Sequence, residues 1–387
     1  STTVVACARG DSKATNVAPI GTVAPAATAP IPSPTFDNPF ADTRQKIEAS
    51  PVLTGATGWL VYRRDNELFI ADLATGSEQP LTHGSLGAGY AGEAVVGGTT
   101  WLYYFSILDA SNGTPAMAVM LRRPLGGDTD ERLFMFRPSP YLRYADDVAT
   151  VSRDGTRVAY TSDDGLHLRT LASGVDRLLL QNMPRPADRS RAGSHYSRPI
   201  WSPAGRWLLV ERESDPPANA PNEGPVLLDP SVPGSERDLP IRGTPVWSPD
   251  GQQLCGNTRA TESDVALYTV ANGEVRDVTS SWSATARLAH SFGFCAWSPS
   301  GILTSGDNFQ TIQLELAVFD TSGTKIAVLN AGAVLPGSGV PTLWLPDSSG
   351  VLVTTLNPSA SVSLGLESSV VMLDGSWRRL QMGPAYV

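Results

Sequence analysis

Lysine is nearly missing from this chain: Lys13, Lys46 and Lys325 stand against 26 arginines. Alongside abundant Ala, Gly and Pro, that imbalance reads as a high-GC coding bias rather than an arginine surface built for a ligand. A formal charge of −9 gives no support to nucleic-acid binding, which calls for a clustered basic face. Long apolar runs are also missing. Val226-Leu227-Leu228 and Val370-Val371-Met372-Leu373 are strand-sized and far below membrane-spanning length. There are three cysteines, no Cys-x-x-Cys pair and no His-rich tract, so no metal site and no cofactor are expected. No Gly-x-Ser-x-Gly elbow, EF-hand loop or phosphate-binding glycine loop occurs.

What is present is a repeat. Trp-Ser-Pro-x-Gly occurs at Trp201–Gly205, Trp247–Gly251 and Trp297–Gly301, with degenerate copies at Val151–Gly155 and Trp344–Gly350. Steps of 46 and 50 residues separate the three tryptophans and mark a repeat architecture. In the copy near Pro199, Ile200-Trp201 ends one strand and Ser202-Pro203-Ala204-Gly205 makes a tight turn, where proline presets φ and glycine tolerates left-handed geometry. Leu208-Leu209-Val210, Val226–Asp229 and Arg237-Asp238-Leu239 follow as further strands.

The same order recurs after Gly58, Gly98, Gly155, Gly251, Gly301 and Gly350. The expected fold is all-β: a seven-bladed β-propeller of four-stranded antiparallel blades over residues 46–387. The middle strands are apolar on both faces, as sheets sandwiched between neighbours require. The tryptophans are expected to pack between blades.

These blades resemble the propeller of TolB and related WD-like repeats, which carry Trp-Ser-Pro-Asp-Gly, an Ile-Tyr-x-x-Asp strand and a closing Leu-Thr. The resemblance covers about residues 50–383 and is strongest between 148 and 330, and only the copy at 247–251 has the full pentapeptide. It implies the fold and leaves function open, because such blades serve scaffolds, peptidase accessory domains and surface proteins alike.

Residues 1–45 are different material, mostly Ala, Pro, Thr, Ser and Gly, and read as an extended tether. Val4-Val5-Ala6-Cys7 resembles a bacterial lipobox, which makes Cys7 the lipidation candidate and an exported protein of the cell envelope, periplasmic or at the outer surface, the expectation; the alternatives are export by ordinary signal-peptide cleavage and an incidental cysteine.

Few residues offer chemistry. His83, His167, His195 and His290 lie in different units. His195 and His290 precede inner strands by a few residues and, with Arg198 and Arg287, form a candidate polar site at the channel mouth; the alternative is solvated loop histidines. Asp163-Asp164-Gly165 reads as a hairpin turn and Asp146-Asp147 as structural. In the long insertion of the second unit, Phe134, Phe136, Tyr141, Arg143 and Tyr144 have the composition enriched at protein interfaces, with internal packing as the alternative. Cys255 and Cys295 fall in neighbouring repeats, where either a disulfide or two buried thiols fit.

With no room for an α/β hydrolase domain, the expectation is a non-catalytic exported scaffold holding protein subunits on its arm and loop face. Its only membrane attachment would be the lipid on Cys7. The alternative is a ligand-recognising or glycan- or peptide-processing propeller with its site at the channel mouth.

Overall fold

A computed structural model describes residues 59–64, 66–72, 77–108, 117–139, 148–183, 193–215, 224–258, 264–280, 290–291, 295–298, 302–308, 313–320, 324–330, 339–344, 350–357, 365–372, 377–380 and 385–386. The chain divides into two units, Ser1–Lys46 and Ile47–Val387, and every described residue belongs to the second. Cys7 and the arm therefore lie outside the described residues, as do Tyr141, Arg143, Tyr144 and Arg287.

The described strands form seven antiparallel sheets. In the first, Trp59–Arg64, Glu67–Asp72 and Glu78–Pro80 run outward, and Ala385–Tyr386 from the far end of the chain pairs with Trp59–Arg64 as the innermost strand. Five sheets are four consecutive strands each. The second is Gly87–Val96, Thr99–Leu108, Met117–Pro124 and Glu131–Phe136; the third is Ala149–Val151, Arg157–Thr161, Gly165–Thr170 and Asp176–Gln181. The fourth is Gly193–Trp201, Leu208–Asp215, Gly224–Leu228 and Arg237–Asp238; the fifth is Ile241–Trp247, Gln253–Thr258, Val265–Thr269 and Val275–Asp277. The seventh is Gly339–Trp344, Gly350–Asn357, Gly365–Met372 and Trp377–Leu380. In the sixth, Ile302–Asn308, Gln313–Phe319 and Lys325–Asn330 follow an inner strand in two pieces, His290–Ser291 and Cys295–Trp297.

The repeated pentapeptide makes the turn between the first two strands. Gly251 N–H donates to Ser248 O at 2.8 Å, and Gln253 N–H donates to Ser248 Oγ at 2.8 Å. Asp250 closes the turn by accepting from Ser248 Oγ at 2.6 Å and from Gln252 N–H at 3.0 Å. Gly251 has φ +68°, and a Cβ there would sit 3.3 Å from Pro203 Cδ of the preceding turn. The residue is glycine for conformation and for space. Ser152 and Asp154 repeat the arrangement in the third sheet.

The core lies between sheets. Leu209 and Leu227 of the fourth sheet pack on Ile241, Trp247 and Leu254 of the fifth, while Leu208 and Val226 on the opposite face pack on Ala159 and Leu166 of the third. Trp297 Nε1 donates to Val246 O of the preceding sheet at 2.9 Å, and Trp344 Nε1 to Ala296 O at 3.4 Å. These two tryptophans thus tie adjacent inner strands, whereas Trp201 and Trp247 are buried between sheets with no hydrogen-bond partner for the indole N–H among the described residues. Arginines do related work further out: Arg177 donates to Pro230 O of the next sheet, and Arg237 to Val270 O at 2.9 Å. Arg177 and Arg237 are therefore structural parts, whatever the coding origin of the arginine excess.

Hydrogen bonding sets an acid limit on these turns. The Ser248 hydroxyl, then the Gln252 amide, hold the Asp250 carboxyl below its usual range. A depressed carboxyl contributes stability above its unfolded value, near pH 3.9, and loses it as pH falls through the lower folded value. Asp250→Asn is expected to cost about 1 kcal/mol at neutral pH, discounted for an exposed group. It should also flatten the acid limb below about pH 4, read from urea midpoints against pH. An unchanged acid limb would count against the turn carboxylate.

Candidate functional site

The inner strand Gly193–Trp201 alternates buried and half-buried residues along its whole length and carries a β-bulge between Ser197 and Ile200. Before it, His195 pairs with Glu213 and Ser197 with Glu211; after it, Ile200 pairs with Leu209. The extra residue swaps the parity of the strand. His195, Ser197, Glu211 and Glu213 consequently share the face of Ile200 and Leu209, which is turned toward the fifth sheet. Pro199 sits in the bulge of an innermost strand, where a missing N–H costs no ladder bond. The inner strands of the fifth and seventh sheets carry register shifts beside Pro245 and Pro341 in the same way.

Arg198 occupies the bulge with φ 50°, the one positive φ among non-glycine residues that are described. Such a backbone costs on the order of 1–3 kcal/mol and persists only where its surroundings hold it. Here Arg198 Nη1 donates to Glu211 Oε2 at 3.1 Å. Ser197 Oγ donates to Glu213 Oε1 at 2.6 Å, and His195 Nε2 lies 3.8 Å from Glu213 Oε2. The His195 side chain is 8% exposed, against 24% for Glu213 and 26% for Glu211. The carboxylates reach solvent and the imidazole backs them.

The order of these groups decides the chemistry. Glu213, not His195, accepts the Ser197 hydroxyl's hydrogen bond, so among the described residues no imidazole stands behind that hydroxyl as a triad requires. The arrangement suits a carboxylate acting as acid, base or hydrogen-bond acceptor toward a ligand, oriented by a hydroxyl and backed by imidazole. Among the described residues no group of three or more His, Cys, Asp or Glu side chains is arranged to hold a metal ion.

Several expectations change here. His195 is neither ahead of its strand nor a solvated loop residue; it lies inside the inner strand and is buried. His290 also lies within an inner strand, its backbone paired with Asn308. The strands of His195 and His290 belong to the fourth and sixth sheets. Phe134 and Phe136 are buried between the second and third sheets, with ring centroids 5.5 and 4.6 Å from that of Tyr160. They are core residues and present nothing to a partner.

Sequence reading passed over Ser197, Glu211 and Glu213, since Glu211-Arg212-Glu213 looks like the charged start of a loop. The available signal was Pro199, two residues before Trp201, repeated as Pro245 before Trp247.

A second polar cluster sits on the third sheet. His167 Nε2 lies 2.8 Å from Asp164 Oδ1 and Nδ1 lies 3.0 Å from Asp176 Oδ1. Asp176 also accepts from Tyr160 OH and, at 3.3 Å, from Arg169 Nη1. Burial pushes the Asp164 carboxyl up, but the hydrogen bond and charge of His167 outweigh it and leave it below the usual range. Burial, then the bond to Asp176, push the Tyr160 phenol well above its ordinary value.

No protein-family profile matches this sequence, and no curated protein matches it. Solved structures do. An oligogalacturonate lyase from Vibrio parahaemolyticus has TM-score 0.52 at 10% identity, over 84% of this chain and 84% of that one. An oligogalacturonate lyase in complex with manganese has TM-score 0.50 at 13% identity, over 84% and 85%. Prolyl oligopeptidase B from Galerina marginata has TM-score 0.52 at 9% identity, over 84% of this chain and 48% of that one.

These likenesses overturn the expectation of a non-catalytic scaffold. It rested on the step from no hydrolase domain to no enzyme. Lyases of this fold, matched over 84 and 85% of their length, break that step, because the propeller is nearly their whole chain. What the likenesses establish is the fold: the chain is an all-β propeller of antiparallel sheets.

Proposed function

We propose that this chain is a ligand-processing propeller, acting on a glycan or peptide at the end of the channel where His195, Ser197, Arg198, Glu211 and Glu213 gather. The observation that carries the reading is the bulge at Arg198. It turns His195 and Ser197 onto the face of Glu211 and Glu213, so that two carboxylates, a hydroxyl and an imidazole lie together. Glu213 is the acid–base group, with Ser197 as its orienting hydroxyl. Arg198 and Glu211 fix the neighbouring wall. In this reading the seven sheets are seven blades of the TolB-like type, closed by Ala385–Tyr386 against the first.

The protein is exported in this reading. The Cys255–Cys295 disulfide supports that, since such bonds persist in oxidising compartments.

The test is turnover and binding of the full chain against a panel of neutral and acidic oligosaccharides and proline-containing peptides. With a substrate found, Glu213→Gln should lower kcat/KM by about 100-fold, within the range for a general acid or base. Ser197→Ala should lower it by about 10-fold, near one lost hydrogen bond. Glu131→Gln, remote from the site, should leave it unchanged. A substrate turned over equally well by Glu213→Gln would remove the site from this location.

A further inference from the structure

The candidate strand is gripped from its other side as well. Residues 182 and 183 run beside it: Met183 N–H donates to Ser194 O at 2.8 Å and Ser194 N–H to Met183 O at 2.7 Å. Asn182 is buried and joins two elements through one amide. Its Oδ1 accepts from Tyr196 N–H at 3.1 Å, in the peptide between His195 and Tyr196. Its Nδ2 donates to Ser162 O at 3.2 Å and Asp163 O at 3.1 Å, and its backbone N–H donates to Asp164 O at 2.8 Å. Those three carbonyls belong to the hairpin turn between the second and third strands of the third sheet.

That turn is itself held by a titratable group. Asp164 is one of the two carboxylates on His167, and Asp176 is the other. Among the described residues, the other polar groups around the ring are Tyr160, stacked on it at 5.2 Å, and Arg169, which bonds Asp176. From the second sheet, Arg137 pairs with Asp163 at 3.3 Å and its carbonyl accepts from Ser162 Oγ at 2.8 Å. An imidazolium has two N–H donors and serves both carboxylates. The neutral ring has one donor, and its other nitrogen then turns a lone pair toward a carboxylate. Losing one proton therefore breaks one of the two bonds and releases either the Asp164 turn or the outer strand.

We infer that Asn182 is a positioning residue for the candidate site and that the His167 clamp makes its grip pH-dependent. Protonated His167 fixes the Asp164 turn, Asn182 carries that position to the Tyr196 peptide, and His195 and Ser197 on either side are set by it. The inference rests on the site proposed above for its functional meaning, but not for its test.

The test follows backbone amides of the full chain in proton–nitrogen correlation spectra between pH 5 and 8, without ligand. In the wild type, the Tyr196 and Ser194 amides should shift with the midpoint measured on the His167 ring. His167→Gln should abolish those shifts. Asn182→Ala should abolish them at Tyr196 while the His167 ring still titrates. Asn182→Asp keeps the acceptor for Tyr196 but loses both side-chain donors to the turn, so it should uncouple equally and serves where the alanine variant does not fold. Tyr196 amides that ignore the His167 midpoint in the wild type, or that follow it unchanged in Asn182→Asp, would overturn the inference. If the coupling is present while Glu213→Gln turns over ligand normally, the site reading fails and the coupling stands.

Discussion

Removing the Cys255–Cys295 disulfide is expected to destabilise the propeller by about 4 kcal/mol. The two Cα atoms are 6.2 Å apart, within the span a disulfide bridges, and 40 residues separate the cysteines in sequence. Closing a loop of that length restricts the unfolded chain by about 4 kcal/mol in the chain-entropy account. The bond joins the second strand of the fifth sheet to the inner strand of the sixth, so it staples two neighbouring sheets. Both sulfurs lie in the apolar layer with Val265, Leu267 and Phe319, where a reductant reaches them only after local opening. The Cys255→Ala, Cys295→Ala variant should unfold at lower urea than the oxidised wild type and be insensitive to reductant. Superimposable urea curves for the oxidised wild type and the double variant would show that the staple contributes nothing.

The fold was legible because the repeat encodes turns, and turns are local. Ser248, Asp250 and Gly251 satisfy one another within a few residues, so a short string suffices to mark them. The packing of Leu209 against Leu254 follows once adjacent sheets are sandwiched. The candidate site was legible only in part, since it depends on one inserted residue. Without the bulge at Arg198, His195 would share the face of Trp201 rather than of Ile200, and no periodicity predicts that exchange.

The partners of His195 come from the second strand, in the run Glu211-Arg212-Glu213, whose alternating charges resemble a loop. They are tolerated in a strand because this end of the sheet meets water, with Glu211 and Glu213 partly exposed. Phe134 and Phe136 failed as interface residues for the opposite reason. Composition cannot separate an aromatic that faces a partner from one that faces the next sheet. Cysteine pairing was undecided in the sequence for the same cause: it turns on which strand faces pair across two sheets.

A buried charge at the seam of the first and second sheets carries the other large expected effect. The Arg123 side chain is 8% exposed, donates to Asp130 at 2.6 Å, and reaches Pro80 O and Leu81 O at 3.3 Å each. Tyr104, fully buried, donates its hydroxyl to the same carboxylate. Asp130→Ala leaves the guanidinium without its counter-charge and the phenol without its acceptor. Breaking one side of a buried pair costs about 3–5 kcal/mol, and Asp130, one-third exposed at 33%, moves the expectation to about 3 kcal/mol. Removing both charges should hurt less, because an apolar replacement has no charge to strand. Arg123→Met with Asp130→Ala is therefore expected to recover about half the loss seen in Asp130→Ala, the remainder reflecting the Tyr104 hydroxyl and the Pro80 and Leu81 carbonyls. Urea unfolding of the wild type, both single variants and the double variant closes the cycle. A double variant as unstable as the two singles added together would mean that the two side chains act independently and that their pairing contributes nothing to the seam.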